Sequence, residues 1–205
     1  QWDVKTYVLD SDAHCPASTV CTRLVPGDYR DFHAVRAFGR QVDMVTFEIE
    51  HVNVEALRQL KSEGRRILPD PDVLAMIQDK GRQKQFFQRQ GVPSAAFSLY
   101  PNREQIRRAV EDGRCRIPFV QKGRTAGYDG KGVVVVRQPD DLDRMLDVDS
   151  VVEDAVDVEK ELSVIVARNP RGQTACFPPV EMVFNPDANL VEMLVSPAQV
   201  EERSE

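Results

Sequence analysis

The strongest constraint on the fold is the regular alternation of β-rich and helix-spaced segments along the first part of the chain. Val4–Asp10 reads as a strand, Tyr29–Phe38 carries helical spacing, Val42–Ile49 is a β-rich apolar run, and Asn53–Ser62 is helical again. Strands separated by helices are the pattern of a parallel, doubly wound α/β sheet. Pro69 and Pro71 then precede helical stretches at Asp72–Gln78 and Lys80–Gln90, the second closed by Gly91 and Pro93. Beyond Pro93 the rhythm changes. Short strands at Ala96–Tyr100, Ile117–Lys122, Val133–Arg137 and Val151–Asp154 alternate with helices at Asn102–Asp112 and Pro139–Leu146, which predicts a smaller α/β module. From Lys160 onward, Leu162–Arg168, Thr174–Phe177, Val180–Phe184 and Leu190–Ser196 predict an antiparallel meander.

Composition narrows the functional classes. A chain of 205 residues, 41% hydrophobic and 29% charged, can bury one or two cores. Its formal charge of -6 and pI near 5.2 argue against a nucleic-acid surface, which gathers phosphates with an excess of Lys and Arg. No apolar run approaches the roughly 20 residues that span a bilayer, so no membrane partner is expected. The opening Gln1-Trp2-Asp3 lacks a signal-peptide pattern, and a cytoplasmic location is expected. Cys15, Cys21, Cys115 and Cys176 form no CxxC pair, so free thiols are expected, and His14 beside Cys15 does not have the spacing of a zinc site.

The segment from Lys122 to Gly132 carries the clearest chemistry. Gly127, Gly130 and Gly132 let backbone approach an anion, and Lys122, Arg124 and Lys131 set positive charge beside it. It lacks the GK[ST] ending of a Walker loop, and a strand rather than a helix follows it. Two readings fit these residues: a phosphate cradle, and a solvated basic hairpin turn. A second cluster runs from Val151 through Glu153, Asp154, Ala155 and Val156 to Glu159 and Glu161. A strand ending in acidic residues, followed by a Glu at the head of a new strand, can offer backbone groups to a purine edge and a carboxylate to ribose hydroxyls. Solvated strand ends would look the same.

Taken in order, these segments resemble the ATP-grasp superfamily and, within it, the 5-(carboxyamino)imidazole ribonucleotide synthase family. The likeness rests on Leu9-Asp10-Ser11-Asp12-Ala13-His14-Cys15-Pro16-Ala17, on Thr46-Phe47-Glu48-Ile49-Glu50-His51-Val52 and on Gln78-Asp79-Lys80. It continues through Gly127-Tyr128-Asp129-Gly130-Lys131-Gly132 and Glu161-Leu162-Ser163-Val164-Ile165-Val166-Ala167-Arg168 to Pro179-Val180-Glu181 and Ser196-Pro197-Ala198. The fold it implies is α/β, in the α+β arrangement of ATP-grasp proteins. Residues 1–75 would be a parallel-sheet pre-ATP-grasp remnant and 76–205 the ATP-grasp domain, with 95–156 as lid subdomain and 157–205 as the start of the second subdomain.

Carried over by position, the resemblance assigns ATP to Lys80, Lys122, Gly127, Tyr128, Asp129, Gly130, Lys131, Gly132, Val133, Glu153, Asp154, Ala155, Val156 and Glu161. Lys80 and Lys122 would meet phosphates, Glu153–Val156 would form the adenine hinge, and Glu161 would hold the ribose. 5-Aminoimidazole ribonucleotide would lie against Glu48, Tyr128, Asp129 and Lys131, with Lys122 and Asp129 in the catalytic roles. The implied reaction is ATP-dependent carboxylation with bicarbonate through carboxyphosphate, in de novo purine biosynthesis. A homodimer is compatible with it. Ala126 replaces a usual Gly, and Phe184 stands where many members have His. The family's opening glycine-rich turn and its acidic magnesium-binding segment have no counterpart, so magnesium ligands are expected outside this chain and the fragment is expected to be inactive alone. The alternatives are a non-catalytic ATP-binding remnant and another ATP-grasp ligase of purine biosynthesis.

Overall fold

The computed structural model describes residues 3–125, 132–185 and 190–200. The chain forms two compact units, Gln1–Ser94 and Ala95–Glu205. In the first, β1 (Tyr7–Asp10) and β2 (Arg23–Pro26) pair in parallel, as do β3 (Met44–Val45) and β4 (Arg66–Ile67). The helices between and after them are α1 (Phe32–Gly39), α2 (Val54–Ser62), α3 (Pro71–Ile77) and α4 (Lys80–Gln90). Helix α4 therefore lies in the first unit, whereas the sequence-based division begins the second segment at residue 76. The pairing is parallel as expected, but among the described residues it forms two separate two-stranded sheets rather than one doubly wound sheet, β2 and β4 are strands the sequence does not signal, and β3 is much shorter than Val42–Ile49. After Val45 the chain leaves the sheet: Phe47 turns onto the core while Glu48, Ile49 and Glu50 are exposed.

Each helix of this unit starts where a side chain can satisfy its first unpaired N–H groups. Asp31 accepts from the Ala34 N–H at 2.7 Å, Asn53 from Ala56 at 2.9 Å, Asp70 from Asp72 at 3.0 Å, and Asp79 from Gly81 and Arg82 at 2.9 and 3.1 Å. Helix α4 ends at Gly91, whose φ of 67° is the left-handed conformation that glycine adopts most cheaply. The core gathers Val35, Val45, Ala56, Leu57, Leu60, Ile67 and Leu74. Helices α1 and α2 approach so closely that a Cβ on Gly39 would sit 2.2 Å from Leu60 Cδ1.

The second unit opens with β5 (Phe97–Tyr100), α5 (Arg103–Glu111), β6 (Phe119–Gly123), β7 (Val133–Val136) and β8 (Ser150–Asp154). These four strands form an antiparallel sheet in the order β5-β8-β6-β7. One face buries Phe119, Val136 and Val152 against Ile106 of α5 and Met145. On that face Gln121 is fully buried yet satisfied: Nε2 donates to Leu146 O and Ser150 Oγ, each at 2.9 Å, and Oε1 accepts the Leu146 N–H at 2.9 Å. The segment predicted as a helix over Pro139–Leu146 is instead a 3-10 turn at Pro139–Arg144. Its Asp141 accepts from the Arg137 and Gln138 N–H groups at 3.0 and 3.2 Å, and a short acidic turn takes the place of a longer helix.

The remaining strands are β9 (Glu161–Ser163), β10 (Val166–Arg168), β11 (Thr174–Cys176), β12 (Val180–Asn185) and β13 (Leu190–Val195). The expectation of one meander needs correction. Among the described residues, strands β10 and β11 pair only with each other, and β9 joins β12 in a sheet ordered β13-β12-β9. The run Leu162–Arg168 breaks between Ser163 and Val166, so its two halves serve different sheets.

Candidate functional site

The antiparallel register decides which predicted residues share a surface. Lys122 lies opposite Val133 on β7 and Val151 on β8, and Glu153 lies opposite Val120 on β6 and Phe97 on β5. Side chains alternate across a strand, so Val120, Lys122, Val133, Val135, Val151 and Glu153 all belong to the face turned away from Phe119 and Gln121. On that face Lys122 Nζ meets Glu153 Oε2 at 2.9 Å. The pair stands beside valines, an apolar floor marked by one cation and one carboxylate.

Lys122 also sits at the root of the β6–β7 connection, the glycine-rich segment singled out from the sequence. The base of that connection is closed by the Gly123 N–H donating to Gly132 O at 2.8 Å, with Gly132 at φ 86°. Gly127, Tyr128, Asp129, Gly130 and Lys131, together with Ala126, lie outside the described residues.

At the other end of the face, β8 leaves the sheet where the hinge was predicted. The Asp154 N–H donates to Ala96 O at 3.0 Å and the Ala155 N–H to Pro118 O at 3.3 Å. Pairing stops there and Val156 is exposed. Glu161 opens β9 in the other sheet, across from Met182 of β12, and is exposed. Phe184 follows on β12, just past an irregularity in its pairing with β13, and is half-buried.

Lys80 and Glu48 belong to the first unit. Lys80 is the first residue of α4, directly after its cap Asp79, and Glu48 lies in the connection between β3 and α2. Gln78, the first residue of the Gln78-Asp79-Lys80 motif, has no role implied by the family resemblance. Its Nε2 donates to Glu50 O at 2.6 Å and to Val52 O at 3.0 Å. The one signal available beforehand was the placement of Gln78 immediately before the Asp79 cap.

Among the described residues no group of three His, Cys, Asp or Glu side chains is arranged to hold a metal ion. Glu181 and Glu192, which do not match the family's magnesium-ligand positions, stand apart in role here: Glu181 is bound by Lys160 at 3.0 Å, and Glu192 is exposed on β13. Magnesium, implied by the family resemblance, does not fit these residues. The thiols of Cys15, Cys21, Cys115 and Cys176 are free, as expected, and burial together with the nearby Asp154 charge pushes the Cys115 thiol above its ordinary pKa.

With this geometry in place, the comparison with known proteins is specific. Residues 85–205 match the ATP-grasp domain family and residues 1–78 the ribonucleotide synthetase preATP-grasp domain. The chain belongs to the ATP-grasp family. Its relatives include the N5-carboxyaminoimidazole ribonucleotide synthase of Mycobacterium bovis, 34% identical over 93% of this chain and 46% of that protein. The solved N5-carboxyaminoimidazole ribonucleotide synthetase of Thermotoga maritima superposes with a TM-score of 0.83 at 32% identity, over 97% of this chain and 50% of that one. The Aspergillus clavatus synthase, solved with ADP and 5-aminoimidazole ribonucleotide, gives 0.82 at 26% identity, over 96% and 51%. The chain thus spans about half the length of the synthases it matches.

Proposed function

We propose that this chain supplies the nucleotide-binding part of an ATP-dependent carbon–nitrogen ligase that carboxylates 5-aminoimidazole ribonucleotide with bicarbonate, through carboxyphosphate, in de novo purine biosynthesis. The observation that carries the proposal is the shared face of β6, β7 and β8. It sets Lys122 at the root of a glycine-rich loop, puts Glu153 within 2.9 Å of it, and leads into the exposed turn at Val156. An apolar floor suits a purine, and the ammonium suits phosphate oxygens as a compact point charge. The similarity to synthases solved with ADP and with the ribonucleotide supports the same reading.

The protein's own contributions in this proposal are binding and exclusion of water. Lys122 exchanges Glu153 for a phosphate oxygen when nucleotide arrives, and Lys80 is assigned to phosphate by the family resemblance alone. Glu161 accepts from ribose hydroxyls, and Val156 offers backbone to the adenine edge. Residues 127–132 are assigned to shielding the bound nucleotide from water, which matters because carboxyphosphate hydrolyses. Asp129 is assigned to the acceptor amine, and Glu48, Tyr128 and Lys131 to the ribonucleotide. No step is assigned to a metal, since the described residues offer no site for one.

A second reading is favoured by one observation. Among the described residues no three His, Cys, Asp or Glu side chains are grouped to hold a metal ion, and on this reading the chain by itself binds nucleotide without catalysing phosphoryl transfer. Calorimetric titration with ATP, followed by an assay for carboxylated ribonucleotide with ATP, magnesium and bicarbonate, tests both readings. Binding without product supports the nucleotide-binding part alone, product shows a complete enzyme, and absence of binding defeats the proposal.

A further inference from the structure

We propose that Gln78 is a positioning residue: it clamps the connection bearing Glu48 and fixes it relative to Lys80 at the start of α4. The proposal rests on the assignment of Glu48 to the ribonucleotide and goes beyond it, because Gln78 touches neither ligand. Its primary amide has two protons, and both are spent on one connection, at 2.6 Å on Glu50 O and 3.0 Å on Val52 O.

The far end of that connection is already secured. Val52 is buried, the Asn53 N–H donates to Tyr29 O at 2.9 Å, and Asn53 Nδ2 donates to Arg30 O at 2.9 Å. The near end is secured where Val45 O accepts the Leu68 N–H at 3.0 Å and Phe47 packs on the core. Between these anchors Glu48, Ile49 and Glu50 are exposed, and Gln78 reaches into that stretch. Gln78 itself is fixed from below, since its N–H donates to Leu74 O at 2.9 Å as the cap of α3. Only Asp79 separates it from Lys80, and Asp79 is pinned to Gly81 and Arg82. A carboxylate charge assigned to one substrate and an ammonium assigned to the other are therefore referenced to a single amide. Gln78 is half-buried, and replacements of the same or greater length leave no cavity behind.

The test compares Q78E, which replaces a two-proton donor with an acceptor of the same size, and Q78K, which restores donors. In the 205-residue chain, 15N relaxation reports the order of residues 48–51, and titration with 5-aminoimidazole ribonucleotide and with ATP reports each affinity separately. Q78E is expected to drop the order parameters from about 0.85 to below about 0.6. Ribonucleotide affinity should fall by about tenfold or more, as for other small misplacements of a substrate-contacting group, with ATP affinity within about twofold. Q78K should keep both. Unchanged order in Q78E overturns the clamp, and so does an equal loss of ATP affinity. If the parent chain binds no ribonucleotide, the assignment of Glu48 fails, while the order parameters still decide for or against the clamp.

Discussion

Lys122→Ala tests the nucleotide face most directly, because the structure shows what this lysine does before any nucleotide arrives. Its ammonium is 2.9 Å from Glu153, with the two side chains 33% and 13% exposed. A hydrogen bond to a charged group of this kind contributes about 1.5 to 3 kcal/mol, and each ~1.4 kcal/mol is tenfold in affinity. Truncation should therefore weaken ATP binding by about 10- to 100-fold. Two opposing effects act within that range. Lys122 already has an anionic partner, so nucleotide binding exchanges one anion for another, which lowers the loss. Its removal also leaves the Glu153 carboxylate facing incoming phosphates, which raises it. The double variant Lys122→Ala/Glu153→Gln removes that repulsion and should recover part of the affinity, a non-additivity expected of residues in contact. Arg124→Ala serves as the control: Arg124 is half-buried like Lys122 but lies just past the end of β6, and a basic side chain that makes no phosphate contact should change ATP affinity by about 1 kcal/mol or less. Calorimetric titration of the four proteins decides the matter. Equal losses for Lys122→Ala and Arg124→Ala, or no recovery in the double variant, would refute the assignment of Lys122 to the phosphates.

Other predictions concern stability and the acceptor site. Hydrogen bonds from Arg40 and Arg36 hold the Glu63 carboxyl at about 2, below its usual 4.5, so the stability it confers is complete above 4.5 and is lost as pH falls through about 2. Thermal melts across that window should lose this slope in Glu63→Gln. Leu57 is fully buried, and Leu57→Ala should cost about 2–5 kcal/mol in urea unfolding followed by probes in the first unit. Gly39→Ala should destabilise by about 1–3 kcal/mol, because its Cβ would stand 2.2 Å from Leu60 Cδ1; trimming Leu60 in the same protein should relieve part of the strain. In a full-length enzyme built around this chain, Asp129→Asn should spare ATP affinity and abolish formation of carboxylated ribonucleotide, and loss of ATP binding in that variant would count against its assignment to the acceptor.

Contiguous residues specify the helix boundaries that rest on a single cap, though not the Asp141-capped 3-10 turn that replaces the helix expected over Pro139–Leu146. Asn53, Asp79 and Asn102 mark helix starts because a short polar side chain can satisfy N–H groups two or three residues on, and Gly91 marks an end because it accepts φ of 67°. The strands beside the glycine segment and the family itself were legible for the same reason, since each is written in contiguous residues. Tertiary structure decided what depends on pairing between distant segments. That Leu162–Arg168 divides between two sheets, that β2 lies beside β1, and that the first unit runs to Ser94 are outcomes of which partner offers a ladder and a core. Periodicity records which face of a strand is apolar but not which neighbour covers it. The Lys122–Glu153 pair and the reach of Gln78 to Glu50 span 31 and 28 residues, and only the folded chain brings such groups within hydrogen-bond range.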